Sequence, residues 1–168
     1  RARGETARAR GTIAEALRLL QDHPTSVELA AACTQMAFFE LVTGRGEQCM
    51  TWVDKALAIG AVTDIGEHEV RALELRGLAR CELGDLAGLD DVRAALQMAL
   101  DLGFSNHAVS IANNLGEDEW PVQGPAAALK TLDRGIEFAR RRGLEAAAMS
   151  LRASALGPRF DLGEWDEL

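Results

Sequence analysis

A unit of about forty residues recurs along the chain, and it constrains the fold more than any other feature. Its markers are Leu41-Val42-Thr43-Gly44, Glu82-Leu83-Gly84-Asp85 and Asp161-Leu162-Gly163-Glu164. Leu83-Gly84 and Leu162-Gly163 each close an apolar-periodic helix, and small and apolar residues recur at fixed offsets in the helix that follows a marker. Such a helix pair buries its faces only against its neighbours. The pattern therefore predicts an all-α solenoid, a scaffold or sensing module rather than a self-contained catalyst.

Helices are expected over 6–22, 27–43, 47–59, 67–83, 89–102, 106–120, 125–142 and 144–156. Ile13, Leu17 and Leu20 form the stripe of the first, and Pro24 with Thr25-Ser26 stops it and caps the second. Gly103 ends the fifth, Pro121 and Pro125 fall at the junction of the sixth and seventh, and Gly157-Pro158 ends the eighth. No segment reads as a strand. The whole of 1–168 is expected to be one helical-repeat domain.

With 48% hydrophobic and 5% aromatic residues and no Tyr, the chain suits close packing of Ala- and Leu-rich helices. A formal charge of −8 opposes a nucleic-acid surface, which needs a concentrated basic face. There is no apolar run of the roughly 20 residues that span a bilayer, and Arg1-Ala2-Arg3-Gly4-Glu5 lacks a signal-peptide stretch, so a cytoplasmic protein without membrane partners is expected. Cys33, Cys49 and Cys81 are odd in number and lie in helical patterns, as buried thiols do. Abundant Arg beside scarce Lys suggests a GC-rich bacterial source.

Catalytic and cofactor motifs are not found: there is no phosphate-cradling Gly-x-x-x-x-Gly-Lys-Ser/Thr loop, no Gly-x-Ser-x-Gly elbow and no His-Glu-x-x-His helix. Gly44-Arg45-Gly46-Glu47-Gln48-Cys49 lacks the third glycine of a dinucleotide fingerprint and reads as a turn. His23, His68 and His107 lie far apart without cysteines at metal-ligand spacing. Asp64, Glu67 and Glu69 read as a solvated face. Arg140, Arg141 and Arg142 occupy the last turn of a helix, where the dipole favours cations. No catalytic residue, cofactor or metal is expected.

The residues resemble the tetratricopeptide repeat. With Gly44 as turn glycine, Ala37 takes the small position of the first helix, and Cys49, Val53, Ala56 and Leu57 the packing positions of the second. In the next unit Gly77 and Gly84 correspond, followed by Val92, Leu96, Ala99 and Leu100 after a loop longer by three residues. In the third, Leu115-Gly116 is followed by Ala128, Leu132, Gly135 and Ile136. The motif's aromatic residues are mostly absent, and Arg76 and Arg80 stand where large apolar side chains are expected. The resemblance implies a right-handed solenoid of antiparallel helix pairs, with about three full repeats and partial repeats at both ends.

The stretches 76–85, 124–139 and 161–167 are further similar to the C-terminal repeat region of large bacterial signalling ATPases. Those proteins carry a nucleotide cyclase or transcription-regulator domain, then an AAA- or STAND-type ATPase, then such repeats. The chain is then expected to be a regulatory fragment whose exposed repeat ends could pair with another copy.

Stacked pairs leave a concave groove lined by the first helix of each unit. Mapped onto this chain, the lining is Thr34, Gln35 and Phe38, then Arg71, Glu74 and Leu78, then Asn113, Asn114 and Glu117. Asn113-Asn114 could instead be ordinary polar positions inside a helix, or could hydrogen-bond between helices. The carboxylate clamp of some such repeats is incomplete, with only Asn114 and Arg71 resembling it. The expected partner is thus a protein segment or the parent's own ATPase or output domain, held in a regulatory groove. The alternative is a small-molecule sensor with a pocket near Trp120 and Phe138 or near Trp52.

Overall fold

A computed structural model describes residues 2–164, with side chains from Ala7 onward; the expectations that fall on Trp165 to Leu168 lie outside the described residues. Eight helices and no strand make up the described residues: α1 Ala2–Leu20, α2 Val27–Val42, α3 Gly46–Gly60, α4 Glu67–Glu82, α5 Gly88–Asp101, α6 Ser105–Gln123, α7 Pro125–Arg141 and α8 Glu145–Leu162. None is long and apolar enough to cross a membrane. The chain divides into two compact units, residues 1–91 and 92–168, the division falling within α5.

The helix boundaries follow local chemistry. The Ser26 hydroxyl accepts the Leu29 amide at 3.1 Å and caps α2, satisfying one of the amides a helix start leaves unpaired. Apart from Gly66, which precedes α4, the glycines with positive φ each follow a helix, and three of them, Gly44, Gly84 and Gly124, are spaced at intervals of 40 residues. A left-handed residue turns the chain out of a helix, and only glycine adopts it without a Cβ penalty.

Two prolines lie inside helices rather than at their ends. Pro121 falls in the last turn of α6, where a missing amide removes only one late bond before Gly124 ends the helix. Pro158 is buried within α8, which runs on to Leu162 instead of ending near 156. Tertiary contacts hold that extra turn. The Trp120 indole donates to Asp161 at 2.9 Å, and Arg159 donates to Asp133 at 2.6 Å.

In the first unit α2 packs on α3, α3 on α4, and α2 also on α4, with α1 against α2. Their core holds Cys33, Ala37, Cys49, Val53, Ala56, Ala72, Leu75 and Ala79. Small side chains let the helices approach closely: a Cβ on Gly88 would lie 2.3 Å from the Gly77 carbonyl oxygen. Arg76 and Arg80 are not core residues. Both donate to Asp91, at 2.9 and 2.7 Å, tying α4 to the start of α5.

The second unit repeats the arrangement. α6 packs on α7, α7 on α8, and α6 also on α8. Its core joins Val109, Leu129, Leu132, Ile136 and Ala139 to Ala148, Leu151 and Ala155. Gly116 and Gly135 are points of close approach between α6 and α7, against the Leu132 side chain and the Ala112 methyl respectively.

Candidate functional site

The expected groove positions fall in different units and differ in what they present. In the first unit Phe38 is 40% exposed, and the Arg71 guanidinium lies over its ring, 4.8 Å from the centre. Gln35 is exposed beside it and Leu78 is half-buried. A cation seated on an aromatic face is worth about 0.5–1 kcal/mol at an exposed position.

Two positions expected to line the groove are instead inside the unit. Thr34 is 2% exposed, its hydroxyl donating to the Ala31 carbonyl at 2.9 Å. Glu74 is 0% exposed and accepts from Arg71 at 2.5 Å. Both stand on the stripe that α2 and α4 turn inward, so their polar groups are satisfied by the chain itself.

In the second unit Asn113 and Glu117 are tied to α8. Asn113 donates to Glu117 at 2.9 Å, and the Ser154 hydroxyl lies 2.8 Å from the Asn113 carbonyl oxygen and 3.1 Å from the Glu117 carboxylate. Asn113 thus hydrogen-bonds between α6 and α8. Asn114 is half-buried next to it.

A cleft of about 420 Å³ opens between α5 and α7 in the second unit, with α6 as its floor. Ala108, Ala112 and Gly135 leave the space, and Leu96, Leu100 and Phe138 wall it. Leu96 and Leu100, expected to be packing positions, stay half-buried because they face this cleft. At its other end the Glu119 carboxylate, 4% exposed, accepts from Arg93 at 2.7 Å and from the Thr131 hydroxyl at 2.6 Å. Lys130 and Arg134, both exposed, complete the wall. No motif marks these residues in the sequence; the usable signal is the pair of cations at i and i+4 of α7, Lys130 and Arg134.

Phe138 thus lines a cleft, whereas Trp120 packs its ring over Gly157 and bonds Asp161. Trp52 borders a separate, mostly apolar cleft in the first unit with Leu17, Leu29, Cys33 and Ile59, and Lys55 covers its ring at 4.1 Å. Arg140, Arg141 and Arg142 diverge: Arg141 pairs with Glu137 at 3.2 Å and Arg142 lies over Phe138 at 5.3 Å. Among the described residues no group of His, Cys, Asp and Glu is placed to hold a metal ion.

Compared with family models and with curated proteins, the chain matches none.

Proposed function

We propose that the chain is a protein-interaction module of tetratricopeptide-like helix pairs, stacked in the right-handed sense the resemblance implies. Its role is regulatory and non-catalytic, within a multidomain bacterial signalling protein of the cytoplasm. The forty-residue recurrence of turn glycines supports the repeat reading, as does the repeated packing of first helices, α2 on α4 and α6 on α8. Three free cysteines fit a reducing compartment.

The observation that carries the binding reading is Phe38, an exposed aromatic under the Arg71 guanidinium on the face shared by α2 and α4. Aromatic and arginine side chains are the residues most enriched at binding hot spots. With Gln35 and Leu78 they offer an apolar anchor, a cation and an amide to a protein segment, supplied by another chain or by the parent's own ATPase domain. Occupancy would regulate that enzyme by favouring one of its two states.

Selection from a displayed random-peptide library, with Phe38→Ala as counter-target, tests this. Enriched sequences that bind the wild type and lose at least tenfold on Phe38→Ala support the module. Enrichment of none, or of sequences indifferent to Phe38, removes the reading.

A second reading, a small-molecule sensor, is favoured by the cleft of the second unit, whose volume lies within the range of ligand pockets.

A further inference from the structure

We infer that the α5–α6–α7 cleft binds a small anionic amphiphile, a carboxylate on an aliphatic or aromatic body. The inference rests on the sensor reading and is independent of peptide binding on the α2–α4 face.

The cleft is long and graded in polarity. Its floor runs along α6 from Ala108 to Gln123, which at the helical rise is about 22 Å. Short connections, residues 102–104 and Gly124, send the chain back on itself at both ends of α6, and Arg93 and Thr131, each in the first half of its helix, both reach Glu119 toward the end of α6 while Gly135 lies against Ala112 nearer its start. Both walls therefore run antiparallel to the floor. Gln123, Arg93, Thr131 and Lys130 gather at one end, and Leu100, Ala108 and Phe138 at the other. A ligand with one polar and one apolar end matches that gradient; a uniformly polar one would leave the apolar end unfilled.

The sign of the polar end follows from which charges are already matched. Glu119 is the one carboxylate on the lining, against Arg93, Lys130 and Arg134. It is buried and held by Arg93 and Thr131. Lys130 and Arg134 have no hydrogen-bond or ion-pair partner among the described residues. They lie one turn apart on α7, so their stems share one wall and their charged heads reach the mouth. Two unmatched cations over an apolar trough, in a chain of net charge −8, attract a local negative charge rather than a polyanion. The narrow volume favours a small molecule over a helix of a partner protein.

The test uses dodecanoate below its micelle concentration, titrated calorimetrically into the full chain and mapped by amide chemical shifts. Dodecan-1-ol and dodecyltrimethylammonium serve as neutral and cationic probes. The expected result is saturable one-to-one binding of dodecanoate with shifts at Leu100, Ala112 and Phe138. Dodecan-1-ol should bind at least tenfold more weakly. Lys130→Gln with Arg134→Gln should weaken dodecanoate at least tenfold; both residues are exposed, and circular dichroism verifies that the helices persist.

Binding of the neutral or cationic probe in this cleft as tightly as dodecanoate overturns the anionic class while leaving a sensor. Binding of none of the three overturns both. Shifts confined to the Trp52 cleft, or affinity indifferent to Lys130 and Arg134, also overturn the inference. So does displacement of dodecanoate by a tighter-binding acidic amphipathic peptide, which would make the occupant a protein.

Discussion

Arg71 donates to Glu74 at 2.5 Å, and the acceptor is a carboxylate with no exposed surface. The same guanidinium lies over Phe38, so one side chain both compensates a buried charge and forms part of the candidate binding face.

Arg71→Ala is therefore expected to lower stability by about 2–4 kcal/mol, since removing one member of a buried pair leaves the other's desolvation under-compensated. Replacing both, as Arg71→Met with Glu74→Met, should recover most of that loss. Urea denaturation of the three proteins measures it. A loss below 0.5 kcal/mol for Arg71→Ala would show that the pair does not hold Glu74 in place, and for the same reason Phe38→Ala is the cleaner probe of binding.

The three thiols are expected to separate by reactivity. Cys33 and Cys49 are buried and Cys81 half-buried. Burial raises the Cys33 thiol above its ordinary value, and Lys55 opposes this only partly. Burial, with the nearby Glu82 charge adding to it, pushes Cys49 up to about 12. The thiolate is the reactive species, so at pH 8 a disulfide reagent should titrate Cys81 first in the native protein. Cys33 and Cys49 should react only on unfolding. Rapid labelling of either in the native state would contradict the packing of the first core.

How far the sequence reaches is visible in particular residues. Helix positions are legible because apolar spacing and terminal glycines act locally, and Ala37, Cys49, Val53 and Ala56 are all fully buried. Pro121 and Pro158 mislead, since proline's local preference is outweighed by contacts such as Trp120 with Asp161, 41 residues away along the chain. Periodicity assigns Thr34 and Glu74 to a face but not to a depth. Nor does it show that Arg76 and Arg80 share Asp91. The cleft over α6 has no sequence signature, because it arises from volume that Ala108, Ala112 and Gly135 leave unfilled.

Two helical glycines should respond to alanine with opposite signs. In α1, Gly11 has nothing within 4 Å of a Cβ position, so Gly11→Ala should gain about 0.5–1 kcal/mol from backbone entropy. In α8, a Cβ on Gly157 would lie 2.1 Å from the Trp120 ring. That ring is rigid and anchored by its bond to Asp161, so overpacking of about 1–3 kcal/mol exceeds the propensity gain. Gly157→Ala should melt earlier than wild type with altered Trp fluorescence. A higher melting temperature would mean the ring moves freely.

Asp91 and Asp118 should confer opposite pH dependence. At Asp91 burial acts to raise the pKa, but hydrogen bonds from Arg76 and Arg80 outweigh it and hold the carboxyl below its usual range. Its contribution is then present above the unfolded value, about 3.9, and lost as pH falls through the depressed folded one. At Asp118 burial raises the pKa and Glu117 adds to the rise. The unfolded chain therefore ionises first, and stability falls as pH climbs from the unfolded value through the raised folded one. Asp118→Asn should stabilise the protein at pH 7, with the advantage shrinking toward pH 3.5, where the native residue is mostly neutral in either state. Asp91→Asn should destabilise at pH 7, and its deficit should narrow over the same descent. Urea melts of both variants at the two pH values decide the matter, and an Asp118→Asn protein less stable than wild type at pH 7 would show that the carboxylate is compensated in the folded state.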